Sequence, residues 1–208
     1  MSNDIARAVD GFEVGVLAAL REGFRARTTW LVERWDEEAT RWVRNRSGLQ
    51  RPAAAVFERL QVRPYATAEV VGNLLTTAGL NRLTSLAIAG GGQGMTNTAT
   101  RIGAGNGGGT AAVGDTDLSA SAGSANRWFQ VMDATFPQQS NGVLTYKSTF
   151  ASADGNFAWN EFGIDIGTPT VTSGNTVNAV LFNHKTSIAQ GTKASGQTWA
   201  ATATITIS

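Results

Sequence analysis

Hydrophobic residues recur along the first part of the chain at steps of mostly three, four or seven positions. They are Ile5, Val9, Phe12, Val16, Leu20, Phe24, Leu31, Trp35 and Trp42. This spacing stays close to the turn of an α-helix, about 3.6 residues, and most charged residues fall between these positions. The pattern therefore predicts a long amphipathic helix. Pro52 predicts the first turn of a second, short helix over residues 53–60.

From Asn73 onwards the pattern changes to a period of two. A short helix is predicted first, over residues 76–86, because apolar residues there recur every third position and Gly90–Gly92 end the run. Alternation of apolar and polar residues then predicts antiparallel strands. These cover residues 98–104, 127–134, 143–150, 157–166, 176–185 and 199–208. Asn141-Gly142 is typical of a hairpin turn between two strands.

These elements predict an α+β protein with two parts. An N-terminal amphipathic helical segment, residues 1–63, is followed by a linker, residues 64–72. Residues 73–208 then form an antiparallel β-sandwich or small β-barrel. Because its strands and helix have apolar faces of their own, we expect residues 73–208 to fold without residues 1–63.

Composition supports this division. The first 72 residues carry 11 arginines and no lysine, whereas the remaining 136 carry three of each. Of the 24 glycines, only five precede Asn73. The whole chain has a formal charge of +1, so its net charge gives no general attraction to nucleic acid or to an anionic membrane.

The residues that most catalytic sites require are scarce. The chain has no cysteine and one histidine, which excludes disulfides, thiol catalysis and any site built on two histidines. No apolar run reaches the length of about 18 residues that a membrane span needs. We therefore expect a non-enzymatic protein that binds no cofactor, metal ion, nucleic acid or membrane.

Two loop motifs contain residues that could bind a ligand, but a structural role is the favoured interpretation of both. Residues 103–108 match the dinucleotide-binding pattern G-x-G-x-x-G, yet no apolar helical stripe follows them, so they are interpreted as a glycine-rich loop. Asp115 and Asp117 offer oxygen ligands to calcium, but the other positions of a calcium loop are missing. Side-chain capping of a turn is the preferred interpretation.

The strands carry the other candidates for chemistry. Glu161 lies among aromatic residues and is predicted to form a structural ion pair with an arginine such as Arg127, rather than to act as a general acid. His184 is predicted to be a surface or hydrogen-bonded histidine without a catalytic role. Aromatic residues offer a sugar-binding platform, but core packing is favoured. They are Trp128, Phe129, Phe150, Phe157, Trp159, Phe162 and Trp199.

Five short motifs occur in one order over about residues 72–208. The chain has Thr77-Ala78-Gly79-Leu80, Ile102-Gly103-Ala104-Gly105, Thr116-Asp117-Leu118, Trp159-Asn160-Glu161-Phe162-Gly163, and Gly191-Thr192-Lys193 with Trp199. In this order they resemble the β-rich accessory structural proteins of tailed bacteriophages, of the head-decoration, head-fibre or minor tail type. The N-terminal segment lies outside the resemblance.

The resemblance implies a component of the virion, made in the cytoplasm of the bacterial host and commonly a homotrimer. The implied partners are other copies of the chain and a major capsid or tail protein. Decoration of the capsid is preferred, because a short chain with one compact domain suits many-copy attachment. A minor tail, baseplate or fibre protein, or a glycan-binding module that contacts the host surface, is the alternative.

The predicted helix supplies the candidate attachment residues. Trp30, Leu31, Trp35 and Trp42 are expected on one apolar stripe, flanked by arginines. Large aromatic side chains of this kind often dominate the binding energy of protein interfaces. These four residues are therefore predicted to anchor the chain to its partner.

Overall fold

The computed structural model describes residues 26–167, 170–172, 175–177 and 180–207, and these residues are mostly β-structure. They form three helices, which are α1 (Glu37–Ser47), α2 (Ala54–Arg59) and α3 (Thr77–Ala87). Their strands are β1 (Ala26–Trp35), β2 (Ala66–Val71), β3 (Leu74–Leu75), β4 (Thr100–Gly105), β5 (Arg127–Val131), β6 (Gln138–Ser140), β7 (Val143–Phe150), β8 (Glu161–Ile166), β9 (Thr170–Thr172), β10 (Asn175–Val177), β11 (Leu181–Lys185) and β12 (Thr198–Ile207).

Two five-stranded antiparallel sheets dominate the described residues. The first sheet has the order β2-β1-β12-β7-β6, and the second has the order β3-β11-β8-β4-β5. Their inner faces contribute to one hydrophobic core, in which Trp30 of the first sheet stacks on Phe162 of the second at 4.8 Å between ring centroids. The predicted antiparallel β-fold is thus found, in a sandwich-like arrangement of two sheets.

The predicted N-terminal helix is wrong for residues 26–35. This segment is strand β1, which pairs with β12 over its whole length, from Ala26 opposite Ile207 to Trp35 opposite Thr198. Thr28, Trp30 and Val32 are buried on one face, and β-branched and aromatic residues favour such a pleated, half-buried surface. Residues 1–25 of the predicted helix lie outside the described residues.

The predicted division into 1–63, 64–72 and 73–208 is also corrected. β1 occupies the position next to β12 inside the first sheet, and the predicted linker contains β2, which pairs with β1. Removing residues 1–63 would delete β1, which would leave one backbone edge of β12 unpaired and take Trp30 and Val32 out of the main core. The structure therefore gives reason to expect that residues 73–208 do not fold alone.

The short elements agree better with their predictions. α2 begins two residues after Pro52, and α3 covers the helix predicted over residues 76–86. Thr76 caps α3, since its hydroxyl accepts a hydrogen bond from the Gly79 N–H at 2.9 Å. Asn141 and Gly142 both have positive φ and join β6 to β7, as the hairpin turn requires.

Helices α1 and α2 cover part of the outer face of the first sheet. A second, smaller core lies beneath them, and it contains Trp35, Val43, Ala54, Val56, Phe57 and Ala200. The Trp35 ring packs on Phe57 with 4.5 Å between centroids, and its Nε1 donates to the Val62 carbonyl at 3.0 Å. Because α1 packs on this smaller core, one face of α1 is buried and the opposite face is directed to solvent.

Gly79 allows α3 to lie directly on β11. A Cβ atom at this position would overlap the backbone carbonyl of Phe182. Alanine normally favours a helix by about 1 kcal/mol over glycine, but overpacking against fixed backbone costs about 1–3 kcal/mol.

Because the steric cost is larger than the gain in helix propensity, Gly79→Ala is expected to lower the free energy of unfolding in a urea titration. Gly108→Ala, which adds a methyl group in open space, is the matched control and should leave it within about 0.5 kcal/mol. Equal values for the two variants would contradict the close packing of α3.

Candidate functional site

The four predicted attachment residues do not share one face. Trp30 lies in the main core and Trp35 in the smaller core, and both are almost completely buried. Leu31 lies on β1 and is 37% exposed, and Trp42 lies on α1 and is 50% exposed. The interpretation of Trp30 and Trp35 as anchoring residues is therefore corrected, because a partner cannot reach them in this fold.

Local sequence explains why Trp42 faces outward. Asp36 caps α1 by accepting a hydrogen bond from the Ala39 N–H at 2.8 Å, and Gly48 ends the helix in the left-handed conformation. Within α1, Thr40 and Val43 are buried against the sheet. Because neighbouring positions of a helix diverge by about 100°, the side chain of Trp42 points away from the face that Val43 buries.

Trp42 borders a groove of about 450 Å³, which we call the Trp42 groove. It is lined by Asp36, Glu38, Ala39, Trp42, Leu60, Gln61 and Val62. Four of these seven residues are apolar, and the two charged ones are both acidic. A partially exposed tryptophan beside a concave apolar surface is the type of feature on which protein interfaces are centred.

A second groove of about 500 Å³ adjoins the Trp42 groove, since Gln61 and Val62 line both. In its lining, Glu33 and Glu58 approach Lys147 at 3.2 and 2.9 Å. Burial alone would lower the pKa of Lys147, but its hydrogen bonds and attraction to these two carboxylates outweigh burial and raise it. This ion-pair network holds α2 on the sheet.

A buried cluster of charged residues lies at the second sheet. Nδ1 of His184 on β11 is 2.6 Å from Asp115 Oδ2, and its Nε2 is 2.8 Å from Glu161 Oε2 on β8. His184 and Glu161 are buried. The Glu161 carboxylate also accepts the backbone N–H groups of Ser119 and Ala120 at 2.8 and 2.7 Å.

The pKa values of this cluster follow from its geometry. Burial disfavours the charged form of His184, but the hydrogen bonds and charges of Glu161 and Asp115 prevail and raise its pKa. Burial likewise opposes ionisation of Glu161, yet its bonds to His184, Ser119 and Ala120 lower its pKa. Both ring nitrogens are occupied by carboxylates, so neither is available to a substrate as general base.

The glycine-rich motif packs around this cluster. Cβ atoms at Gly105 and Gly107 would overlap the Glu161 carboxylate. Residues 106–126 are all described and contain no helix that could present an N-terminus to a pyrophosphate. The interpretation of residues 103–108 as a structural glycine-rich loop agrees with this arrangement.

The predictions for Glu161 and His184 differ from the structure in their partners. The predicted ion pair between Glu161 and Arg127 is wrong, since Arg127 pairs with Asp117 at 2.6 Å. His184 is hydrogen-bonded, as predicted, but its position between two carboxylates was not anticipated. Asp115 does bond its own turn, where its Oδ2 accepts the Ala112 N–H at 2.9 Å. The 69 residues that separate Asp115 from His184 hide their contact from any local pattern.

Lys193 is a further buried charge. Its ammonium group donates to the Ala151 carbonyl at 2.9 Å and to Asn156 Oδ1 at 2.7 Å. Burial lowers its pKa to about 8, against the attraction of Asp154. Asp154 itself forms an ion pair with Arg51, so Lys193 helps to tie the loop of residues 151–156 to the segment before β12.

The aromatic residues considered as a sugar platform lie mainly in the core. Six of the seven are buried, and Trp128 is half-buried. Trp159 is central, with ring contacts to Phe150, Phe162 and Trp199 at 4.6 to 5.7 Å between centroids. Core packing, the favoured interpretation, is confirmed for the six.

Within the part of the chain that the structure describes, no group of three or more potential metal-binding side chains is placed to hold an ion. None of the described helices is long and apolar enough to cross a membrane. No protein-family model matches the chain, and neither the curated proteins nor the solved structures contain a significant match.

Proposed function

We propose that this protein is a structural component of a tailed bacteriophage particle that attaches to another virion protein through the Trp42 groove. The five ordered motifs over residues 72–208 support the class of protein. The half-exposed indole of Trp42 beside an apolar groove supports the attachment surface, and it is the observation on which the proposal depends.

The motif residues support a structural role through what they contact. Gly79 lies against Phe182, Leu118 packs with Phe129 and Leu181, and Glu161 binds the loop backbone. Each contact fixes one element against the second sheet. The resemblance therefore rests on residues that hold the fold, and the surface for a partner is supplied by a different part of the chain.

The proposal retains the assembly expected from the sequence. The chain decorates the capsid as a homotrimer and binds the major capsid protein. A minor tail, baseplate or fibre position is the second candidate, since the Trp42 groove would serve a tail protein equally well. Leu31, which remains partly exposed on β1, is the other residue of the predicted anchor that a partner can reach.

The test is Trp42→Ala in a co-sedimentation assay with particles that lack the wild-type chain. Removing a central interface tryptophan typically costs about 2 kcal/mol or more, so the fraction bound at subsaturating concentration should fall by about tenfold or more. The unfolding midpoint should hardly change, because the side chain is half-exposed.

Leu49→Ala is the matched control, since Leu49 is exposed to a similar degree just beyond α1 and does not line the Trp42 groove. It should sediment as the wild type does. Full binding by Trp42→Ala would move the attachment surface elsewhere, and equal loss in both variants would contradict a site centred on Trp42.

A further inference from the structure

The two contacts of the His184 ring depend on its protonation. Each ring nitrogen faces a carboxylate oxygen, at 2.6 Å for Asp115 and 2.8 Å for Glu161. An ionised carboxylate only accepts hydrogen bonds, and a neutral imidazole has a single N–H to donate. Both contacts are therefore made together only when the ring carries two protons, or when one carboxylate takes up a proton at low pH.

One of the two carboxylates belongs to a long loop. Residues 106–126 connect β4 to β5, and Asp115 lies in this loop, whereas Glu161 and His184 lie on strands of the second sheet. The loop also contacts α3, where the Thr77 N–H donates to the Val113 carbonyl at 2.7 Å. Val113 is 57% exposed, so this part of the loop has little apolar packing to hold it.

We infer that Asp115, His184 and Glu161 form a charge latch that fastens the loop segment around residues 112–115 to the second sheet and opens when His184 loses its proton. A neutral His184 keeps at most one of its two carboxylate contacts. Glu161 has two further backbone donors, Ser119 and Ala120, and sits on a strand. Asp115 is the partner that can move into water, because its loop is exposed, and it is the contact that is lost.

The other charged groups near His184 leave this assignment intact. Lys185 follows it on β11 with its side chain on the opposite face of the strand. In the loop, Asp117 is paired with Arg127 of β5. On β8, Asp165 lies opposite Leu181 and accepts the Val180 N–H at 3.2 Å. The paired strand β3 consists of two leucines, and Arg82, the charged residue of α3, donates to the Gln93 carbonyl. Asp115 and Glu161 are thus the charged groups that contact the ring.

The direction of the pH dependence follows from the raised pKa of His184. Its contribution to holding the loop is fully present below the pKa of an unfolded histidine, about 6.5, and is lost as pH rises through the higher folded value. The titration of Lys193 changes the free energy of unfolding in the opposite direction. Its pKa is lowered to about 8, so its burial destabilises the fold less as pH rises above that value. The free energy of unfolding contains the contributions of both His184 and Lys193. A probe within the loop is therefore needed to observe His184 alone.

The probe is a nitroxide spin label on Val113→Cys, which is unique because the chain has no cysteine. Its mobility is measured by electron paramagnetic resonance from about pH 5.5, below the ordinary histidine pKa of about 6.5, to about pH 10. We expect a restricted spectrum below about pH 6.5 and a mobile one at higher pH. The transition should coincide with the titration of the ring protons of His184, the only histidine in the sequence, followed by NMR in the same protein.

Three variants complete the test. His184→Gln in the labelled protein should be mobile across the whole range, with no transition. Val131→Cys, exposed on β5, carries the label outside the loop and should show no transition. Lys193→Met with the Val113 label should keep the transition, because it removes the opposing titration and leaves the latch. A label at Val113 that stays restricted up to pH 10, or that responds at a pH where the His184 ring does not titrate, would overturn the latch.

Discussion

Trp30→Ala is expected to lower the free energy of unfolding by about 3–5 kcal/mol, the usual cost of removing a large aromatic side chain from a core. Trp30 is completely buried and stacks on Phe162, so its ring joins the two sheets. Alanine would leave a cavity at the centre of the main core. Urea unfolding followed by circular dichroism measures the change.

Trp42→Ala is the matched control for this prediction, because it makes the same chemical change on α1, where the ring is half-exposed. It should change stability by about 0.5 kcal/mol or less. The two variants should also differ in which property they reduce. Trp42→Ala is expected to weaken attachment, and Trp30→Ala is expected to lower the stability of the fold. Similar stabilities for both would contradict the position of β1 in the core.

Glu161→Ala is expected to destabilise the protein by about 3–5 kcal/mol, as removal of one member of a buried ion pair commonly does. It leaves the His184 ring without one carboxylate and the N–H groups of Ser119 and Ala120 without their acceptor. The measurement is again urea unfolding, at about pH 6, which is below the unfolded histidine pKa of about 6.5.

Two further variants make this prediction specific. Glu161→Gln should recover part of the loss, since its amide oxygen can accept one of the backbone N–H groups. Glu69→Ala removes an exposed carboxylate from β2 and should change stability by about 0.5 kcal/mol or less. If Glu161→Ala were as stable as Glu69→Ala, the buried cluster would not hold the loop.

Several strands after Asn73 were predictable from alternating apolar and polar residues, although every residue of β4 and of β8 is buried. β7 was predicted with its observed bounds, and β12 within one residue. β1 was missed because Phe24, Leu31, Trp35 and Trp42 also fit helical spacing. The alternation of Thr28, Trp30 and Val32 favours a strand, and pairing with β12, some 170 residues away, decides between the two.

The site was predictable only in part. Trp42 was proposed as an attachment residue from its size and its arginine-rich surroundings, but the groove beside it depends on Leu60 and Val62, which the fold brings close. Tertiary packing also determines the partners of Glu161. Its strand alternation predicted burial and a need for a counter-charge, whereas the identity of that charge, His184 in place of Arg127, is set by the pairing of β8 with β11.

The most direct test of the proposed function is whether purified phage particles contain this chain and in what copy number, measured by quantitative mass spectrometry against the major capsid protein. A virion component should be present in every preparation at a fixed ratio. Many copies per particle would place it on the capsid, as we propose, and a few copies would place it on the tail. Absence from purified particles would contradict the proposal.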